Sequence, residues 1–390
     1  MSMTITPSLS EDDRSAILDA VRDFTRTHLE PFSLERDQTG TFPRDLFPYA
    51  GELGLGGLSV REDVGGAALS RTDVIAVVEE LAKGDPTIAA YITIHNMVAG
   101  MIDRYGTPEQ REQWLPALVA MSALGAYALT EPGAGSDAAA ITTSAIREGD
   151  EFVLTGVKQF ISGAGEASVY LVMARTGEPG ARGITAFLVP GDAAGLSFGP
   201  PEEKMGWRAQ PTRQVILDRV RVPVAAVLGQ IGGGFGIAMS GLNGGRLNIA
   251  ACSLGGAQWA LDRAVQYVHE RFTFGEPLAE KQGIVFRLAD MATELQAARA
   301  LVRESAAAVD GAPADPAAQA EVASQCAMAK RFATDVGFAV ANDALQLHGG
   351  YGYLQEYGVE KVVRDLRVHQ ILEGTNEIMR VIVGRHLLRA

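Results

Sequence analysis

The sequence predicts a multidomain α+β chain: an α-helical N-domain over residues 1–125, a central β-barrel or sandwich over 126–232, and a C-terminal four-helix bundle over 233–390. Three observations carry that expectation. Between Ala126 and Val227, short β-branched runs such as FVLTGVKQFI, SVYLVMART and GITAFLVP alternate with the turn signals EGDE, GEPGARG and PGDAAG. On both sides of that region apolar residues recur every three or four positions, the period of a helix with one buried face. The C-terminal seams are also rich in small residues, which lets long helices pack closely.

Taken in order, Ser10 with Asp13 forms a cap ahead of the face Ile17, Val21 and Phe24, and Pro31 is expected to stop that helix. Ser70 with Asp73 starts another helix, and Asp85-Pro86 starts a third that runs to Gly106. Thr107-Pro108 with Gln110 supplies a cap, a proline at the first helical position and a capping-box partner. After the glycine run Gly229–Gly236 the helices return and lengthen. Leu247, Ala251, Leu254, Leu261, Val265 and Val268 outline one. Ile284, Leu288, Met291, Leu295, Ala298, Val302, Ser305 and Val309 outline a second, closed by Gly311. Val322, Cys326, Ala329, Ala333, Val336, Val340, Ala344 and Leu347 outline a third.

Composition excludes several classes of function. With 390 residues, 47% of them hydrophobic, the chain can bury a sizeable core. A net charge of −13 without a dense basic patch argues against nucleic acid, where phosphate neutralisation needs clustered Lys and Arg. Cys252 and Cys326 form no CxxC pair and read as buried free thiols in a reducing compartment. The six histidines show no ligand spacing, so no metal is expected. The N-terminal MSMTITPSLSEDD lacks a basic, apolar signal and no run approaches membrane-span length, which gives a soluble, cytoplasmic protein with no membrane association as the expectation.

Chemistry concentrates in a few stretches. In HQILEGTNEIMR, His369–Arg380, Glu373 follows the apolar pair Ile371-Leu372 and precedes Gly374-Thr375, where a helix is expected to begin. A carboxylate on a tight, partly dry turn suits proton abstraction; a solvated Glu ahead of an N-cap is the plain alternative. In TEPGAGSD, Thr130–Asp137, the residues Gly133, Gly135 and Ala138 fit GxGxxA. Pro132 and the strand-like TTSAI flank it without a βαβ unit, which argues against a dinucleotide fold and leaves a glycine loop that offers amides and hydroxyls to a polar ligand. KQFISGAGEA sets Phe160 and Ser162 where an aromatic can cover a flat ring and a hydroxyl can bond its edge, or where both simply pack. LNGGR, Leu242–Arg246, reads as a helix start or an anion-facing turn. ERFTFGEPL and QLHGGYGY each follow or end a helix, as plain C-caps or as a cation and amides facing a pyrophosphate. His348 and His369 read as satisfying local hydrogen bonds.

Together, TEPGAGSD, RFTFGEPL, QLHGGYGY and EGTNEIMR, in order and spacing over nearly the whole chain, resemble the acyl-CoA dehydrogenase family. The resemblance implies that family's fold, FAD as cofactor, a homotetramer, and α,β-dehydrogenation of an acyl-CoA thioester with an electron-transferring flavoprotein as acceptor. FISGAGE, GWRAQPTR, GLNGGRLNIAACSLG and the run from HGGYGYLQEYGV through VRDLRVHQILEGTNE resemble the members that convert isobutyryl-CoA to methacrylyl-CoA in valine breakdown. A 2-methylbutyryl-CoA or other short acyl-CoA dehydrogenase is the sibling alternative. A flavin-free helical scaffold of the same fold and a flavin oxidase are the rivals of other classes.

By that resemblance, Glu373 takes the pro-R α-proton while the β-hydride leaves for the flavin N5, and the ribityl hydroxyl with the Glu373 backbone N–H meets the enolate-like charge. Some members carry the base on the NGGR-like segment; Gly244 and Gly245 leave Glu373 without a rival there. Tyr127, Ala128, Leu129, Thr130, Gly135 and Ser136 are implied to line the flavin, beside Phe160, Ile161 and Ser162, with Phe and Ser standing where the family usually has Trp and Thr. Arg271, Thr273, Phe274, Gln282, Leu347 and His348 are implied FAD contacts, with Gln346, Gly349 and Gly350 reaching it from a neighbouring subunit. Thr375, Asn376 and Glu377 follow the base on the flavin side. The implied substrate contacts are Ser136, Asn243, Gly244, Gly245, Arg246 and Gly374, with Arg385 near CoA. Substrate binding is expected to expel water and help raise the Glu373 pKa toward neutrality, and the helix N-terminus at Thr375 opposes that rise; the sequence leaves the balance open.

Overall fold

The computed structural model describes residues 9–388. The reading of the N-terminal stretch as free of a targeting signal rests partly on residues 1–8, which lie outside the described residues. Six helices precede the sheet: α1 (Glu11–Phe24), α2 (Glu30–Thr39), α3 (Leu46–Glu52), α4 (Arg71–Gly84), α5 (Pro86–Tyr105) and α6 (Pro108–Val119). Their starts follow local chemistry. Ser10 and Ser70 accept the amides of Asp13 and Asp73, Asp85 accepts that of Thr87, and Thr107 with Gln110 closes a full capping box. Pro31 does not stop α1. The chain passes from Phe24 through one π-helical segment, Thr25–Leu29, into α2, where Pro31 occupies the first turn and has no amide to leave unpaired.

The strands are β1 (Gly125–Ala128), β2 (Ser144–Glu148), β3 (Glu151–Ser162), β4 (Val169–Arg175), β5 (Ile184–Pro190), β6 (Leu196–Phe198), β7 (Thr212–Pro223) and β8 (Val227–Leu228). They form one sheet in the order β6-β7-β3-β2-β4-β5-β8, with β1 parallel to β4. The two flanks join only where Ser144 meets Arg175, and they face each other over a core of their own. Phe152 of β3 packs edge-on against Phe187 of β5, with centroids 5.1 Å apart. The opposite face of β4 and β5 (Leu171, Met173, Ala186, Leu188) packs with Val98, Ile102 and Leu118 of the N-terminal helices.

Beyond the sheet run α7 (Gly234–Glu270), a two-stranded hairpin of β9 (Phe272–Thr273) and β10 (Glu276–Pro277), α8 (Gln282–Gly311), α9 (Pro316–His348), α10 (Val359–Arg367) and α11 (Asn376–Leu387). The α9 seam is buried at every expected position, Val322 through Leu347. Each such large aliphatic contributes about 1.5–3 kcal/mol by leaving water. Val265 departs from the α7 seam and stands exposed.

A buried charge cluster joins the three parts. The Lys361 ammonium of α10 lies 2.7 Å from Asp365 and 3.3 Å from Asp85, the cap of α5. Asp365 also accepts the Trp207 amide, at 2.7 Å, and the Thr87 hydroxyl. Because removal of one partner would strand a buried charge, this knot fixes the sheet region against both helical layers. No described helix is long and apolar enough to cross a membrane.

Candidate active site

Glu373 sits in the turn between α10 and α11, with φ at +54°, followed by Gly374 at +88°. Thr375 ends the turn as the cap of α11, its hydroxyl accepting the Ile378 amide. A side chain held in left-handed backbone costs on the order of 1–3 kcal/mol and is kept where surroundings over-determine it. The turn drives the carboxyl inward. The residue as a whole is half-buried, but Oε2 is enclosed and has no hydrogen-bond partner. Burial pushes its pKa up to about 7, against the opposing charges of Arg246 and Lys330. In this balance desolvation wins.

Gly244 and Gly245 lie well inside α7, so LNGGR is neither a helix start nor a turn. A Cβ on Gly245 would stand 2.6 Å from Glu373 Oε2, and one on Gly244 would stand 2.9 Å from an Arg71 guanidinium nitrogen. The glycine pair is therefore room made for two side chains from other elements. Arg246, one residue on, is buried, bonds Asn243 Oδ1 at 2.8 Å, and leaves its Nε unpaired. The Tyr127 hydroxyl of β1 is likewise buried and unpaired; burial and then the negative field of Glu373 push its pKa up.

The glycine loop after β1 is built on a buried ion pair that sequence reasoning missed. Glu131 accepts from Lys158 Nζ at 2.7 Å, from the Thr142 amide and hydroxyl, and from the Thr143 amide. Burial favours the neutral carboxyl, but Lys158 and these donors outweigh it and bring the pKa to about 2. Lys158 also donates to the Leu129 carbonyl, and the Thr130 carbonyl accepts the Gln159 amide, so the loop is clamped to β3. Above the clamp, Gly133 and Gly135 face open space. Ser136 is exposed, while Ala128 and Leu129 are buried beneath it.

Phe160 is 63% exposed at φ +59°, where the β3–β7 register shifts. That backbone turns an aromatic outward from a strand whose neighbour Ile161 is buried. Ser162 Oγ accepts the Gln210 amide.

A second group forms around a cavity of about 630 Å³ at the ends of α7 and α9. Arg271, Thr273, Gln346, Leu347, His348, Gly349 and Gly350 all line it. They come together because α7 and α9 run side by side and end together. His348 stacks on Tyr267 at 4.4 Å and bonds the Ala344 carbonyl, and the Arg271 guanidinium lies over Tyr351. Phe274 is 98% exposed and, with Gln282, lies outside the cavity lining. Glu373 and Phe160 belong to the first group and do not line this cavity.

Two placements differ from expectation on the base turn. The Asn376 side chain is consumed internally: Oδ1 accepts from Lys330 and Thr334, and Nδ2 donates to Asp335, Thr334 and the Arg331 carbonyl. His369 bonds Ser253 through Nδ1 at 2.7 Å but its buried Nε2 is unpaired, so its local hydrogen bonding is only half met. Glu377 and Arg385 stand exposed on α11. Among the described residues, no group of three or more His, Cys, Asp or Glu is placed to hold a metal.

The arrangement thus offers an enclosed carboxyl with a near-neutral pKa, an unpaired tyrosine hydroxyl, an open glycine loop and an outward-facing aromatic. Comparison with known proteins bears on all of it. Family models for the N-terminal, middle and C-terminal domains of acyl-CoA dehydrogenase match residues 11–122, 126–220 and 232–388. The mitochondrial isobutyryl-CoA dehydrogenase of Dictyostelium discoideum is 51% identical over 377 residues, covering 96% of this chain and 89% of that one. The Bos taurus mitochondrial isobutyryl-CoA dehydrogenase is 48% identical over 386 residues, 99% of this chain and 91% of that one. A glutaryl-CoA dehydrogenase from Mycobacterium smegmatis, solved in complex with FADH2, superposes with a TM-score of 0.91 at 30% identity over 98% of this chain and 96% of that one. Three domains in register and half-identical relatives over nearly the full length leave one assignment: this chain belongs to the acyl-CoA dehydrogenase family.

Proposed function

We propose that the protein oxidises a short α-branched acyl-CoA, isobutyryl-CoA first, to its α,β-unsaturated thioester, methacrylyl-CoA, as in valine breakdown. The single observation that carries the dehydrogenation is the Glu373 carboxyl, enclosed, unpaired at Oε2 and pushed up to about 7, while the choice of substrate rests on the half-identical isobutyryl-CoA dehydrogenases. A base works best with a pKa near the operating pH, and a positioned one is worth on the order of 10²–10⁴ in rate. At neutral pH a large fraction of Glu373 is carboxylate, ready to take the α-proton, and burial lets it keep that proton as product forms.

The residues fit FAD. The open face over Gly133 and Gly135 can take a polar ligand against backbone, Phe160 offers a flat surface, and the buried Tyr127 hydroxyl lacks a partner. Arg271 with the amides of Gly349 and Gly350, on the separate cavity, suits a pyrophosphate. When bound, FAD supplies the acceptor for the hydride that leaves the β-carbon. Arg246, whose charge acts on the base, and Asn243, bonded to it, would orient the thioester, and the Glu373 backbone N–H is the chain's own donor toward its developing oxyanion.

Since the flavin-side residues fall into two separate groups on one chain, a neighbouring copy would bring the second group to the first. The exposed Phe272, Phe274, Val285 and Phe286 support such an assembly, a homotetramer by family resemblance. An electron-transferring flavoprotein is the proposed acceptor. Buried free thiols at Cys252 and Cys326 support a reducing, cytoplasmic setting.

Anaerobic titration of the flavin spectrum with isobutyryl-, 2-methylbutyryl- and n-butyryl-CoA tests the reading. Isobutyryl-CoA is expected to bleach wild type most efficiently, and Glu373→Gln is expected to bind it with almost no bleaching. If isobutyryl-CoA is the poorest of the three, the substrate assignment fails.

A further inference from the structure

Lys330 is a buried cation for which the proposed chemistry has no use. It stands on α9 with its side chain fully enclosed, and Nζ donates to the Gly374 carbonyl and to Asn376 Oδ1, both at 2.9 Å. Neither partner is a carboxylate. An enclosed ammonium bonded to neutral acceptors is expensive, so a fold that keeps one gains something by it. The bonds show where the gain falls. Gly374 is the second of two consecutive left-handed residues, and Asn376 opens α11, so the ammonium bridges both ends of the turn that carries Glu373. Thr334, one helical turn along α9, holds the same Asn376 amide.

We propose that Lys330 is a positioning residue for the base: its ammonium pins the left-handed turn that presents Glu373, and its charge acts on that carboxylate as a fixed counter-charge. The inference rests on Glu373 being the base. It is independent of any contact between Lys330 and substrate.

The charged groups around the pair set the sign of the effect. Glu373 faces Arg246 from α7, Tyr127 from β1 and Lys330 from α9; Lys330 in turn feels Asp335 on α9, Glu377 on α11 and the Arg246 charge. Cys326 and His369 stay neutral near pH 7, since burial pushes the thiol up to about 11 and the imidazole down to about 3. Burial lowers Lys330 to about 8 while Glu373 holds it up, so the ammonium persists through neutral pH. Lys330 lowers the Glu373 pKa. Removing the cation must therefore raise it, and the acid limb of the rate profile must move to higher pH.

The test uses the full, flavin-loaded chain and two readouts. One is the acid limb of kcat/KM for isobutyryl-CoA. The other is the infrared band of the protonated carboxyl, assigned to Glu373 by its loss in Glu373→Gln, titrated without substrate. In Lys330→Met both titrations are expected to move up by about one unit, a tenfold loss of carboxylate below the pKa, and kcat to fall a further ~10–100-fold as the turn loosens. Lys330→Gln, which can still donate to Gly374, is expected to show the same titration shift with less loss of kcat. Lys330→Arg is expected to restore the titration. Should Lys330→Met fail to fold, Lys330→Gln gives the same reading. A folded, flavin-loaded Met or Gln variant with both titrations unmoved overturns the inference. If Glu373→Gln itself reduces the flavin at the wild-type rate, the reading of Glu373 as base has failed first.

Discussion

Gly245→Ala separates the stability of α7 from the placement of the base. The new Cβ would stand 2.6 Å from Glu373 Oε2, 2.8 Å from Cδ and 3.1 Å from Oε1, where ordinary contact begins at 3.4 Å. The carboxyl must retreat by about 0.8 Å, the difference between 3.4 and 2.6. The atoms struck are the far end of a flexible side chain, so the fold yields cheaply. A Gly-to-Ala change inside a helix returns about 1 kcal/mol of propensity, which offsets much of that. Catalysis has no such compensation. A misplacement near 1 Å costs on the order of 10²-fold, close to 2.7 kcal/mol of barrier. The expected result is an unchanged or slightly raised urea midpoint with anaerobic flavin reduction slowed ~30–300-fold. Gly236→Ala, in the same helix with open space at its Cβ, is the control and should leave the rate alone. A Gly245→Ala enzyme that reduces flavin within threefold of wild type would show that the carboxyl does not act from this position.

Three further outcomes follow from the charges and the open loop. Glu373→Gln should stabilise the protein at pH 8 by about 1–3 kcal/mol after allowance for partial exposure: the native pKa of about 7 lies above the unfolded value near 4.5, so wild type loses stability as pH rises from 4.5 to 7 and no advantage should remain at pH 4. Urea midpoints at the two pH values check this, and equal gains at both would refute it. Glu131→Gln strands the Lys158 ammonium and should cost about 3–5 kcal/mol at pH 7; in wild type that contribution is present above about 4.5 and lost as pH falls toward 2, so a variant within 1 kcal/mol of wild type counts against the clamp. Gly135→Val places a branched side chain in space no protein atom occupies, and should cut flavin content at least tenfold while leaving the melting temperature of the flavin-free chain unchanged. Normal flavin absorbance in that variant would remove the loop from the cofactor site.

Caps and seams were legible because each is written in adjacent residues. Ser10, Ser70, Asp85 and Thr107 act through amides two or three residues on, and the α9 face repeats at helical spacing. Pro31 misled because one residue type serves two purposes: it ends a helix from the inside and begins one from the first turn. LNGGR misled for a deeper reason. Two adjacent glycines lower helix propensity by about 2 kcal/mol together, so spacing alone argues for a break. The helix continues because α7 is held by α4 and α9, and the missing side chains make room for Arg71 and Glu373, which arrive from 173 and 128 residues away (244 − 71 and 373 − 245).

The same distance rule explains why the two enclosed lysines stayed hidden. Lys330 meets Gly374 across 44 residues and Lys158 meets Glu131 across 27, and nothing in the local text of either lysine marks it as enclosed. In sequence, Lys330 among small residues reads as the solvated side of a helix, and Lys158 as one polar position on a strand. What distinguishes these two is the company that three other elements bring, and with it the sign of their effect. Lys158 has a carboxylate within bonding distance, so its charge is spent locally and holds a loop. Lys330 bonds only neutral oxygen, so its field is left to act on Glu373, an enclosed carboxylate with no partner at Oε2. A motif can therefore name the base. Whether that base is a proton acceptor at neutral pH is decided by burial against Arg246 and Lys330, a sum that exists only once the chain has folded.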